Sequence, residues 1–85
     1  MVRKSITVEI PTGLEARTVA VAVQIASKYD SDIYFEVGTK KVNAKSIMGM
    51  MTLGIGAGEA VDVAISGADE TEAMEEIEKY LGNKQ

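Results

Sequence analysis

The order of β-rich and helical segments along this chain, β-α-β-β-α-β-α, predicts an α+β fold. The expected architecture is an open-faced β-sandwich: a four-stranded antiparallel sheet with three helices on one face. Three observations carry that prediction. VRKSITVE at 2–9 and VDVAI at 61–65 alternate apolar and polar residues, as half-buried strands do. DIYFEV and KKVN are separated only by Gly38-Thr39, a spacing that makes the two strands antiparallel neighbours. Near the C-terminus, Ala73, Met74, Ile77, Tyr80 and Leu81 recur at helical spacing and form one apolar stripe.

Taken in order, residues 2–9 form the first strand, and Pro11-Thr12-Gly13 breaks it. Ala16 to Ser27 reads two ways. TVAVAVQIA alternates like a strand, yet Val19, Ala22, Val23 and Ala26 also fall on one helical face. Helix is favoured by the alanines, and because a strand here would be long and apolar on both sides. Asp32 to Val37 and Lys40 to Asn43 are the hairpin strands. A short helix opens around Lys45-Ser46-Ile47-Met48-Gly49, with Ser46 as N-cap because its hydroxyl can accept an orphan N–H. Met50 and Leu53 would face the core, and Gly54, Gly56 and Gly58 end the helix in a loop. Those glycines do not read as a nucleotide loop, since no strand leads into them and no Gly-Lys-Ser/Thr follows. After the fourth strand, Asp69 and Glu72 stand as a variant capping box, and Gly82 is placed to act as the C′ residue.

Composition narrows the chemistry. The 85 residues make a single expected domain, 1–85, and a chain this short buries only about two-thirds of its unfolded surface. There is no Cys, which excludes disulfides and thiolate catalysis, and no His, which removes the commonest general base and transition-metal ligand. No metal or organic cofactor is expected, and the chain is not expected to be an enzyme. A net charge of −4 makes nucleic acid and anionic membranes poor partners. No apolar run approaches the roughly 20 residues that span a bilayer. The start, MVRKSITVEI, has no long apolar stretch or small-residue cleavage site, so a cytoplasmic location is expected.

Particular residues add to this. TGLEAR at 12–17 resembles the active-site segment T-G-L/I-H-A-R-P of the HPr family of phosphotransferase-system proteins. ASKYDSDI at 26–33, VNAKSIMGMMTLGIGAG at 42–58 and VDVAISGADETEA at 61–73 resemble that family's other segments, so the likeness runs through nearly the whole chain. It implies an HPr-like fold. Two positions depart from the pattern: Glu15 stands where the family's phosphoacceptor histidine belongs, and Thr18 replaces the usual proline. In the family, the imidazole takes a phosphoryl group from enzyme I and passes it to sugar permease components. Imidazole suits that task because it is both nucleophile and leaving group at neutral pH. With Glu15 in its place, histidine phosphocarrier activity is expected to be lost. The alternative is a divergent carrier that still meets enzyme I, either through an acyl phosphate on Glu15 or as a non-productive competitor.

The KSIMG box is the most specific segment, since it carries the serine that is phosphorylated in Gram-positive members. A kept KSIMG with the histidine gone is similar to a regulatory branch of the family, although that branch carries a neutral glutamine where Glu15 stands. The resemblance implies phosphorylation of Ser46 by an ATP-dependent HPr kinase/phosphorylase, and binding of the product to a LacI-type catabolite control protein as corepressor. A phosphoserine would add about −1.5 to −2 charges at a helix start. Ile47, Met48 and Met51 are expected to form an exposed apolar docking patch beside it, because Met50 and Leu53 already fill the inward face. The resemblance implies that Arg17 touches the partner; otherwise it pairs with Glu15 at the surface or is simply solvated. Lys40, Lys41 and Lys45 form a basic cluster in sequence, read as a solvated strand edge.

Overall fold

The computed structural model describes residues 1–82. Its elements follow the expected order: β1 Val2–Thr7, α1 Ala16–Ser27, β2 Asp32–Val37, β3 Lys40–Asn43, α2 Ile47–Met51, β4 Ala60–Ser66 and α3 Glu70–Gly82. The four strands form one antiparallel sheet in the order β1-β4-β2-β3, so the last strand enters between the first two. Its register places Val2 opposite Ile65, and Ile33 opposite the same residue from the other side. Strand parity sorts the side chains. Ile6, Ile33, Phe35, Val61, Val63 and Ile65 point to the helix-covered face and are buried, whereas Arg3, Asp62 and Glu36 line the open face.

Segment 16–27 is a helix. Val19, Ala22, Ile25 and Ala26 are its buried residues, so Ile25 takes the inward position expected of Val23, which is only partly buried. Met50 is fully buried and Leu53 nearly so, as their spacing required. Phe35, 1% exposed, is among the largest side chains of the core; burying a side chain of this kind contributes about 1.5–3 kcal/mol.

Three further details differ from expectation. β1 ends at Thr7 rather than Glu9, because the backbone turns to other partners there. Val8 N–H donates to Glu59 O at 2.9 Å, and Glu9 N–H to Leu81 O at 2.8 Å. Asp69 is not spent on a capping box with Glu72. Its carboxylate reaches across to the α1–β2 loop, accepting from Asp30 N–H at 2.9 Å, Ser31 N–H at 3.0 Å and the Ser31 hydroxyl. Glu70 instead accepts from the Gly67 N–H at 3.1 Å. Gly82 is the last residue of α3 and does not have a positive φ, so it is not a left-handed C′ cap.

Candidate functional site

Glu15 is the N-cap residue of α1, in extended backbone at φ −119° and ψ −174°. The turn that delivers it is fixed by Gly13, whose φ of 69° few other residues adopt. Space demands glycine as well: a Cβ there would lie 2.6 Å from Ile55 O and 2.8 Å from Gly56 Cα. Leu14 N–H donates to Ile55 O at 2.8 Å, which binds this turn to the loop following α2. Thr18 then closes the helix start. Its hydroxyl accepts from Glu15 N–H at 2.9 Å and donates to Gly13 O at 2.7 Å. Thr18 stands at the position where a capping box has Glu or Gln, and its hydroxyl does here what a proline could not. Thr12, Glu15, Ala16, Arg17 and Thr18 line a shallow depression. Glu15 and Arg17 are both exposed, and no ion pair joins them among the described residues.

Ser46 is exposed at the head of α2, and its hydroxyl accepts from Gly49 N–H at 3.3 Å. The entry to α2 is set by an Asn43 side chain that accepts from Lys45 N–H at 2.8 Å, and by Ser46 N–H donating to Asn43 O at 3.0 Å. From there the helix presents two unlike faces. Met50 is 0% exposed, while Ile47, Met48 and Met51 are 45%, 80% and 54% exposed. Apart from Met1 and Val21, these are all the exposed large hydrophobics among the described residues. Contiguous exposure of this kind beside a polar site marks contact surfaces. α1 packs directly against α2, so the Glu15–Arg17 and Ser46–Met51 segments belong to one layer of the molecule.

The three lysines near Ser46 in sequence engage three different partners. Lys40 donates to Thr52 O at 2.7 Å, satisfying a carbonyl at the end of α2. Lys41 lies over the Tyr34 ring, 4.7 Å from its centroid, on the open sheet face. Lys45 donates to Tyr29 O at 2.6 Å, tying the approach to α2 to the end of α1. Sequence neighbours diverge because alternate strand residues face opposite ways and the turn after β3 swings Lys45 aside. No helix of the described residues is long and apolar enough to cross a membrane.

Residues 2–83 match the family described as PTS HPr component phosphorylation site. The chain is 47% identical over 81 residues to the HPr-like protein Crh of Halalkalibacterium halodurans, covering 95% of this chain and 96% of that one. Identity to the HPr-like protein Crh of Bacillus subtilis is 44% over 81 residues, covering 95% of each. The crystal structure of a phosphocarrier protein HPr from Bacillus anthracis superposes with a TM-score of 0.91 at 42% identity, over 94% of this chain and 95% of that one. Sequence and fold agree over nearly the same span: this chain belongs to the HPr family of phosphotransferase-system proteins.

Proposed function

We propose that this protein is a Crh-like regulator in carbon catabolite repression, switched by phosphorylation of Ser46 and without histidine phosphocarrier activity. An HPr kinase/phosphorylase transfers a phosphoryl group from ATP to the Ser46 hydroxyl. The product binds a LacI-type catabolite control protein through Ile47, Met48, Met51 and Arg17. In this scheme the chain is a substrate and a ligand, and the catalysis belongs to its partners.

The observation that carries the reading is the pairing of an exposed serine hydroxyl with an exposed apolar patch on one five-residue helix. Phosphorylation there adds about −1.5 to −2 charges and three acceptor oxygens directly beside that patch. The fold has little to lose. Ser46 makes a single 3.3 Å side-chain bond, and α2 is anchored from its other side by Met50. Glu15 supports the second half of the proposal. It lacks the imidazole that makes phosphoryl transfer reversible at neutral pH, although the surrounding turn is retained.

Intact mass after incubation with HPr kinase/phosphorylase and ATP tests the switch, with Ser46→Ala as control. One added phosphoryl group on the native chain, absent from the variant, is expected. No addition, with the same kinase active on an ordinary HPr, would sink the reading. Labelled phosphoenolpyruvate with enzyme I is expected to leave no label on the chain.

A further inference from the structure

Three methionines fall within four positions of the α2 segment, and the fold treats them oppositely. Met48 and Met51 are 80% and 54% exposed, whereas Met50 is 0% exposed. Elsewhere Met74 is 4% exposed, and Met1 is open at the far edge of the sheet, where its amino group pairs with Glu70 at 3.1 Å. The chain has no Cys, so all of its sulfur is methionine thioether and no thiolate competes for an oxidant. Thioether reactivity follows access to solvent. The two accessible sulfurs near Ser46 therefore stand in the only contiguous apolar surface of α2, and the inaccessible one holds that helix to the core.

We infer that Met48 and Met51 form an oxidation site, at which peroxide converts the patch beside Ser46 from apolar to polar and releases its partner while the core stays intact. The release of a partner rests on the reading of this patch as a docking surface; the selectivity of the oxidation does not. In each event a sulfur lone pair attacks one peroxide oxygen, an S–O bond forms and the O–O bond breaks. The departing hydroxide takes up the proton of the transferred oxygen and leaves as water. Sulfur is oxidised by two electrons and the peroxide is reduced. The sulfoxide carries a strong acceptor that an apolar partner pocket would leave unpaired, and burying such a group weakens binding by about tenfold or more. Ile47 and Ser46 have no sulfur, so within the patch the change is confined to two side chains, and sulfoxide reductases can reverse it.

The test begins with the folded full-length chain in dilute hydrogen peroxide, sampled over time and mapped by peptide mass. One oxygen each on Met48 and Met51 is expected, with Met1 as the exposed reference. Met50 and Met74 should gain none until the protein is unfolded, and the melting curve should not move. Oxidation of Met50 as early as Met48, or none at Met48 and Met51 while Met1 reacts, would overturn the site. The Ser46-phosphorylated chain is then titrated against the LacI-type protein before oxidation, after oxidation, and after repair by sulfoxide reductases. About tenfold weaker binding that returns on repair is expected. Equal affinity of the oxidised and unoxidised forms would overturn the release. Failure of the unoxidised phosphoprotein to bind would instead remove the docking reading and the release with it, leaving the oxidation site to stand or fall on the mass map.

Discussion

Two helices close the same core and meet solvent in opposite ways. α3 is thirteen residues long, and its carboxylates reach other elements. Glu76 meets Lys28 at 2.6 Å and accepts from the Tyr29 hydroxyl, Glu78 meets Lys4 at 2.8 Å, and Glu70 meets the amino terminus. Asp69, just before it, holds the Ser31 loop. α2 is five residues long, carries no carboxylate, and turns Ile47, Met48 and Met51 outward. The contrast separates two uses of a surface. Glu70, Glu76 and Glu78 of α3 are spent on partners within the molecule, which ties the helix to its neighbours. The outward apolar groups of α2, Ile47, Met48 and Met51, stay open to solvent, so contact with a second protein would remove them from water.

The largest test of this contrast lies within α2. Met50→Ala should cost about 2–5 kcal/mol in denaturant titration, the range for a fully buried methionine replaced by a smaller residue. A loss below 1 kcal/mol would mean that α2 is not anchored as described.

Next comes the Asp69 tie. Gly67, at φ 155°, crosses so close to Ser31 that a Cβ would lie 2.7 Å from the Ser31 Cα. Gly67→Ala should destabilise by about 1–3 kcal/mol, through backbone strain and displacement of the loop that Asp69 holds. A variant as stable as the parent would show that this tie is slack.

Stability against pH sharpens the comparison further. The Ser31 hydroxyl and the Asp30 N–H hold the Asp69 carboxyl below the usual range, and Lys28 with Tyr29 does the same for Glu76. Lowered carboxylate values stabilise fully above about pH 4 and lose that contribution as pH falls through the folded values. The bond to Glu76, and then burial, push the Tyr29 hydroxyl from 10.0 up to about 12. A raised value works the other way: its contribution is complete below pH 10 and lost as pH rises toward about 12. Melting temperature against pH should therefore fall at both ends. Asp69→Asn should flatten the acid limb and Tyr29→Phe the alkaline one, while Ser46→Ala alters neither. An unchanged acid limb in Asp69→Asn would contradict the assignment.

The smallest effect belongs to the exposed face. Met48→Ser should shift stability by no more than about 0.5 kcal/mol, since the side chain touches little of the fold. A loss approaching that of Met50→Ala would break the distinction between the two faces of α2.

Local spacing determined much of this protein. Period-two alternation set the strands and their buried faces, the Gly38-Thr39 turn set the hairpin, and Ser46 announced its own helix. Spacing also separated Met50 from Met48 and Met51, because Met50 and Leu53, three apart, fill the inward face of so short a helix. Of the candidate site, Ser46 and its patch were legible for that reason, and the altered residue at Glu15 was visible directly. The capping role of Thr18 was not signalled, because a capping box has its hydroxyl at the N-cap and Glu or Gln three residues on, the reverse of Glu15 and Thr18.

Tertiary structure alone decided where the long-range polar groups went. Asp69 sits where a capping acid belongs, yet it binds a loop 38 residues earlier. Lys45 neighbours Ser46 in sequence and serves Tyr29 in space. Gly13 and Gly67 were fixed less by their own turns than by the backbones that cross them. Periodicity carries information only over a few residues, whereas these partners are chosen when β4 enters between β1 and β2 and brings distant loops together. A charged side chain near that junction bonds whatever the topology delivers, and no local pattern records what that will be.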